Sequence, residues 1–145
     1  MIATDRWHDN WIAISPPGAV RVDLVRSAAQ RRALERTVHD LQPGTPIVIG
    51  AAAPRAARRC RRFASAAGIT LDHEYLAFPS ARTPAYLVED NAAPLRLFVD
   101  TMLATPPRTR FSLPVAAALR LLRASKPWWL LRTIAAGRVV VGRRR

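Results

Sequence analysis

The side chains that could carry acid–base or metal chemistry are few and widely spaced along this chain of 145 residues. The three histidines, His8, His39 and His73, do not show a metal-ligand spacing such as H-x₃-H. His73 has acidic neighbours in Asp72 and Glu74. In an alternating strand the two acids face one way and the histidine the other. We therefore predict structural histidines rather than a local acid–base pair or a metal site.

Cys60 is the only cysteine, which excludes an intramolecular disulfide and a cysteine-based zinc site and fits a reducing compartment. Two neighbouring arginines, Arg59 and Arg61, could lower the pKa of its thiol and make it reactive. However, Cys60 falls on the apolar face of a predicted helix, and this position favours a small core residue over a nucleophile. Ser80 lacks the surroundings of a serine-nucleophile elbow.

Charge is unevenly distributed along the chain, whose formal net charge is +13 at pH 7. All ten acidic residues lie at or before Asp100, whereas residues 101–145 hold ten basic side chains. Twenty-two of the 23 basic residues are arginine, a bias that a GC-rich genome also produces. Such a bias does not explain the missing acids, so the last third of the chain is predicted to present a positive surface.

The candidate binding residues of this basic segment are Arg120, Arg123, Lys126, Trp128, Trp129 and Arg132. They could lie on an anionic membrane surface, with tryptophan at the interface and arginine against the lipid head groups. Nucleic acid is the rival partner, because arginine neutralises phosphates and tryptophan stacks on unpaired bases. The apolar run at residues 128–131 favours the membrane. A core helix with a solvated arginine face explains the same pattern without any partner.

Apolar stretches are short throughout the chain, which bears on its location. Asp5, Arg6 and Asp9 interrupt any early apolar run, so no signal peptide is predicted. Arginines break every later apolar stretch well before the ~20 residues that a membrane-spanning helix needs. We expect a cytoplasmic protein that is peripheral at the membrane if its basic segment binds there.

The elements that would position these residues alternate between strand and helix. A strand is predicted at Val20–Val25, unless Asp23 caps a helix directly. A helix up to Leu41 follows, and the wholly apolar run 47–49 predicts a strand that is covered on both faces. A second helix, with Pro54 in its first turn and Gly68 as its C-terminal cap, leads into an alternating strand from Ile69 to Tyr75.

The remaining elements are shorter. Trp11–Ile14 predicts a short strand in the lead-in, and Ala85–Val88 another after the proline-bounded loop 79–84. Pro94 opens a helix, and a further helix carries Val115, Leu119 and Leu122. Residues 138–142 read as a closing strand, and residues 143–145 as a frayed tail.

Together these patterns predict an α/β chain with a partial Rossmann-like, mostly parallel sheet, flanking helices and a basic helical C-terminal segment. We expect a lead-in at residues 1–19, an α/β core at residues 20–90, and a helical basic segment with the closing strand at residues 91–145.

With these elements placed, the chain resembles the C-terminal half of class I S-adenosylmethionine-dependent methyltransferases. Val22-Asp-Leu-Val25 is similar to that family's fourth strand, and Leu34-Glu-Arg-Thr-Val-His-Asp-Leu-Gln-Pro-Gly44 to its helix ending in "LkPGG". Ile47-Val-Ile-Gly50 matches the fifth strand, and Ala66-Ala-Gly-Ile69 the turn before the sixth. Arg138-Val-Val-Val-Gly142 matches the last strand. The resemblance covers roughly residues 20 to 90 and the closing strand.

The resemblance does not extend to the cofactor site. The family binds S-adenosylmethionine through a glycine-rich loop after its first strand and an acidic residue at the end of its second. No two of the six glycines here stand as G-x-G, and position 45 is threonine where the family has a second glycine. No cofactor-binding or catalytic residue is therefore carried over. The resemblance implies a truncated domain, half of a split or swapped assembly, or a reused scaffold. S-adenosylmethionine would bind only if a complementing chain or a second copy supplied the missing half.

Overall fold

The computed structural model describes residues 13–25, 27–102 and 128–145. It contains the strands β1 (Val20–Leu24), β2 (Pro46–Ala52), β3 (Ile69–Phe78), β4 (Tyr86–Glu89) and β5 (Gly137–Arg144). Its helices are α1 (Ala28–His39), α2 (Ala56–Ala66), α3 (Ala92–Met102) and α4 (Trp128–Ile134). The strands form one sheet in the order β1-β2-β5-β3-β4. The protein is therefore α/β with an open, mixed sheet, an architecture compatible with a Rossmann-like fold.

The expectation of a mostly parallel sheet is wrong. β1 and β2 are parallel neighbours, in a register that places Val20 opposite Ile47. β5 lies between β2 and β3 and runs antiparallel to both of them. The closing strand thus occupies the middle of the sheet. The period of its apolar residues indicates a buried strand, but it carries no information about the partner or the direction of pairing.

The buried residues lie on two faces of this sheet. Ile47 and Ile49 pack with α1 and α2 on one face, where Phe63 of α2 is fully buried. Val48 points to the opposite face and packs with Val139 and other strand residues. The prediction that β2 is covered on both faces is therefore confirmed, and the all-apolar run 47–49 is the physical reason.

A bulge in β3 changes which side chains share a face. The pairing with β5 shifts between Leu71 and His73. Before the bulge, Ile69 and Leu71 pack on the face that carries α1 and α2, whereas Tyr75 packs on the opposite face. Strict alternation along the predicted strand would place Ile69, Leu71, His73 and Tyr75 on one face, and this prediction is wrong. One extra residue in a strand exchanges the two faces for every residue that follows.

The start of each helix in the core also departs from the sequence prediction. Asp23 lies within β1, and α1 is instead capped by Ser27, whose Oγ accepts a hydrogen bond from the Gln30 N–H at 3.5 Å. Pro54 precedes the α2 N-cap residue, Arg55, rather than lying in the first helical turn.

The described residues divide into two compact units. One lies within residues 1–87 and 135–145, and the other within residues 88–134. In the second unit Leu95 and Val99 of α3 are buried, as its helical period predicts. Ala13 and Ile14 are helical, which contradicts a strand at the end of the lead-in. The helix predicted around Val115 lies outside the described residues.

Candidate functional site

The carboxyl ends of β1 and β2 form what we call the carboxyl edge of the sheet. In open α/β sheets, ligands bind beyond the carboxyl ends of parallel strands. A cavity of about 230 Å³ lies at this edge. Its lining comes from both strand ends, from α2 and from the loop after β3, and comprises Asp23, Leu24, Val25, Gly50, Ala52, Arg59, Ala81 and Arg82.

Arg59 joins the two parallel strands at the carboxyl edge. Its Nη2 donates to the carbonyl oxygen of Leu24 at 2.9 Å, and its Nη1 donates to that of Ala52 at 3.1 Å. Leu24 and Ala52 are the last residues of β1 and β2. The guanidinium therefore satisfies both carbonyl groups and fixes a positive charge beside the cavity.

A second arginine ties the outer strand to the loop after β3. The Nη2 of Arg21 donates to the carbonyl oxygen of Arg82 at 3.1 Å and forms an ion pair with Asp23 at 3.3 Å. The N–H of Arg82 donates to the Oγ of Ser80 at 3.1 Å, which gives Ser80 a role in the turn. The charged residues that line the cavity are thus Arg59, Arg82 and Asp23, and Asp23 is ion-paired with Arg21 outside the lining.

The described residues do not fit S-adenosylmethionine at this edge. A cavity of about 230 Å³ is smaller than the roughly 300–1,000 Å³ of ordinary small-molecule sites. Gly137, the glycine of β5 nearest this edge, has no free space above it for a cofactor. An added Cβ there would lie 2.5 Å from both the Ala51 carbonyl oxygen and the Ala81 Cβ. The charges of Arg59 and Arg82 also disfavour a sulfonium cation.

The opposite end of the sheet, the amino edge, is closed by the end of the chain. The guanidinium of Arg144 donates to the carbonyl oxygens of His39 and Gly68 at 3.4 and 3.3 Å, at the C-terminal ends of α1 and α2. The main-chain N–H of Arg144 donates to the Thr45 carbonyl oxygen, and the Arg144 carbonyl oxygen accepts from the Gly44 N–H. A cation is favourable at helix C-termini. The expectation of a frayed tail at residues 143–145 is therefore wrong.

His39 takes part in the same contact. Its Nδ1 lies 3.0 Å from the Nη2 of Arg144. A guanidinium only donates hydrogen bonds, so Nδ1 accepts here and the proton of the neutral ring is on Nε2. This contact gives His39 the structural role that the sequence predicts.

A wider groove lies across β3 and β5, on the face opposite α1 and α2. Its volume is about 740 Å³, and its lining includes Asp72, His73, Tyr75 and Arg143. The bulge brings Asp72 and His73 to the same groove, so the prediction that alternation separates them is wrong. Arg143 holds the Asp72 carboxylate at 3.3 Å, and the rings of His73 and Tyr75 lie 6.2 Å apart.

Cys60 lies on the buried face of α2, in the core. Its side chain is fully buried, and this burial, together with the nearby Glu74 carboxylate, raises the pKa of the thiol to about 12. The neighbouring positive charge of Arg59 acts in the opposite direction but does not prevail. The prediction of a core residue is confirmed, and a thiol with this pKa is a poor nucleophile at neutral pH.

The binding residues predicted in the basic segment are only partly described. Arg120, Arg123 and Lys126 lie outside the described residues. Trp128 and Trp129 begin α4, but the structure does not describe their side chains. The Nε of Arg132 forms an ion pair with Asp90 at 2.7 Å, and its side chain stays 49% exposed.

The other arginines of the last third that the structure describes all contribute to the fold. Arg138, the second residue of β5, is 7% exposed, and Arg143 and Arg144 make the contacts given above. Arg145 donates from Nε to the Thr70 Oγ1 at 3.1 Å. Part of the positive charge that suggested a binding segment is thus used to hold the sheet together.

Comparison with protein-family models, curated proteins and solved structures gives no match to this chain. Within the three described ranges, no group of His, Cys, Asp or Glu side chains has the arrangement of a metal site. In the same part of the chain, no helix has both the length and the apolar character that crossing a bilayer requires.

Proposed function

We propose that this chain is a methyltransferase-like domain of Rossmann-like type that does not bind S-adenosylmethionine by itself. The observation that carries the proposal is the placement of four segments that resemble the family. They form β1, β2, the start of β3 and β5, and these strands are consecutive neighbours in one sheet.

The second half of the proposal comes from the carboxyl edge. The parallel pair β1–β2 opens onto a cavity there, as expected for a ligand-binding α/β domain. Its arginines and its small volume disfavour the cofactor, and the sequence contains no G-x-G loop to hold it. A complementing chain, or a second copy of this one, would have to contribute the cofactor residues. We assign no catalytic step to the residues of this chain.

Calorimetry with S-adenosylmethionine tests this proposal. We expect no saturable heat when the purified chain is titrated, provided that circular dichroism of the same sample shows an α/β fold. Repeating the titration at increasing protein concentration tests a second copy as the complement. A saturable isotherm at concentrations where the chain is monomeric would contradict the proposal.

A peripheral binding role for the basic segment is the second proposal. The exposed, ion-paired Arg132 is the described residue that favours it, because half of its side chain stays in contact with solvent. Cosedimentation with anionic liposomes, compared with binding to single-stranded nucleic acid, tests this role. Loss of binding in an Arg120→Gln/Arg123→Gln/Lys126→Gln variant would support it. Negligible binding of the wild type to both at low salt would exclude it.

A further inference from the structure

Helices α1 and α2 lie side by side on one face of the sheet. Both pack their apolar residues into the cluster that contains Ile47 and Ile49. Both begin beside the carboxyl edge, and Arg144 bridges their C-terminal ends. The two helices therefore run in the same direction.

The outer surface of these helices carries five exposed arginines, which we call the arginine face: Arg32, Arg36, Arg55, Arg58 and Arg62. Within the described part of the chain, their side chains form no hydrogen bond or ion pair. By contrast, Arg31 pairs with Glu35 at 3.7 Å and Arg61 pairs with Glu74 at 2.7 Å.

The spacing of these arginines aligns them along each helix. Arg32 and Arg36 are four residues apart on α1, and Arg58 and Arg62 are four residues apart on α2. Arg55, the N-cap of α2, precedes Arg58 by three residues. Residues four apart on a helix lie one above the other, about one turn of 5.4 Å apart, whereas Arg55 lies at the left-handed N-cap position just before the first turn of α2. The arginine face therefore carries two rows of exposed positive charge, which have no acidic partner among the residues that the structure describes.

We propose that the arginine face binds the phosphate backbone of duplex nucleic acid. A duplex presents two rows of phosphates with one negative charge per ~1.7 Å of its axis, and arginine binds phosphate with two parallel hydrogen bonds. Two rows of cations on a rigid pair of helices match this target. Contacts of this kind carry no base specificity.

The apolar residues of the surface distinguish a duplex from the other polyanions. Among the described residues, the exposed large hydrophobic side chains are Tyr86, Leu97 and Ile134, and none lies on α1 or α2. Binding of single strands relies on aromatic platforms for the bases, and membrane-surface helices insert apolar residues below the head groups. The arginine face offers neither, so electrostatic contact with a duplex is the interaction that it fits.

The arginine face shares no residue with the basic segment at residues 120–132, and the proposal does not depend on the methyltransferase-like assignment. The acidic residues of α1 and α2 do not neutralise it, because α2 contains none and the single one of α1, Glu35, pairs with Arg31. The proposed contacts lie entirely within the unit that contains β1 and β2.

Fluorescence anisotropy with short DNA and RNA duplexes tests the proposal on the full chain. The test variant is Arg55→Gln/Arg58→Gln/Arg62→Gln. The matched control, Arg21→Gln/Arg96→Gln/Arg143→Gln, removes three exposed arginines that lie outside α1 and α2. We expect the wild type to bind both duplexes with strong salt dependence. For DNA, the slope of log K against log salt should fall by roughly 0.9 for each lost phosphate contact, or about 2.7 in the test variant.

The possible results separate the proposal from its alternatives. A control variant with nearly the wild-type slope, together with a reduced slope in the test variant, supports the arginine face. Equal reduction in both variants would show that only net charge matters and would overturn it. Absence of duplex binding by the wild type at low salt would also overturn it. The proposal would also be overturned if the wild type bound anionic vesicles and the test variant lost this vesicle binding but kept its duplex binding. Circular dichroism melts establish that both variants are folded.

Discussion

An arginine side chain binds main-chain carbonyl oxygens at both edges of the sheet, but the residues around the two arginines differ. At each edge one arginine donates to main-chain carbonyl oxygens of two separate segments, Arg144 at the amino edge and Arg59 at the carboxyl edge. Both guanidinium groups donate hydrogen bonds to carbonyl oxygens at the ends of strands or helices. Arginine can therefore stabilise either edge without any ligand.

The difference lies in what covers each arginine. At the amino edge the main chain of Arg144 also forms hydrogen bonds, with Gly44 and with Thr45. At the carboxyl edge the Ala53 N–H donates to the Ala136 carbonyl oxygen, and a cavity remains beside Arg59. Main-chain hydrogen bonds therefore close the amino edge, whereas a cavity of about 230 Å³ stays open at the carboxyl edge.

The largest expected effect concerns the close packing of β5 near the amino edge. An added Cβ at Gly142 would collide with the Thr70 carbonyl oxygen and would contact the Ile69 Cγ2 at 3.0 Å. Gly142→Ala should lower the free energy of unfolding by about 3 kcal/mol, the upper part of the range for overpacking. Urea denaturation measures this loss. Gly44→Ala serves as a comparison, because open space surrounds that position and the expected cost is conformational strain alone. Unchanged stability of Gly142→Ala would contradict the packing of β5.

The second prediction compares the two edge arginines directly. Arg144→Met removes the donor that bridges α1 and α2 and leaves helix C-terminal carbonyl groups without it, so we expect a loss of about 2 kcal/mol. Arg59→Met removes two hydrogen bonds beside a cavity that water can enter, and we expect about 1 kcal/mol. Urea denaturation of both variants measures the two losses. A larger loss for Arg59→Met would reverse the assignment of the two edges.

The third prediction concerns the core between the edges. The folded state holds the Cys60 pKa near 12, above its ordinary value of 9.0, so the protonated thiol is favoured by folding. Its contribution to stability is complete below pH 9 and is lost as the pH rises from 9 towards 12. Cys60→Ala should therefore show a shallower decrease in stability over this alkaline range than the wild type. Native Cys60 should also react with a thiol reagent only when the protein unfolds. Rapid labelling of the folded chain at pH 8 would contradict its burial.

The smallest expected effect is at the exposed ion pair of the groove. Arg143→Gln removes the partner of Asp72, and the Arg143 side chain is 68% exposed. Exposed pairs contribute about 0–1 kcal/mol, so thermal denaturation should shift only slightly. A loss as large as that of Arg144→Met would mean that the groove also contributes to the stability of the amino edge.

The sequence predicts the fold better than the site, and the reason is physical. Apolar runs such as residues 47–49 identify strands because burial requires them, and the helical period of α2 identifies its core face. The place of β5 in the sheet and the bulge after Leu71 depend on pairing between distant segments, which the local period does not encode. The roles of Arg59 and Arg144 depend on the positions of main-chain carbonyl oxygens in the folded chain. No residue type signals them in advance.

We propose that the carboxyl edge of this chain does not bind S-adenosylmethionine by itself, and an NMR titration measures this binding residue by residue. Amide resonances of the ¹⁵N-labelled chain would be followed during titration with S-adenosylmethionine. We expect no saturable shifts at Leu24, Val25, Ala52 or Arg59 while the amino-edge signals of Gly44 and Arg144 stay constant as an internal control. Saturable shifts confined to the carboxyl-edge residues would show that the chain binds the cofactor alone and would contradict the account.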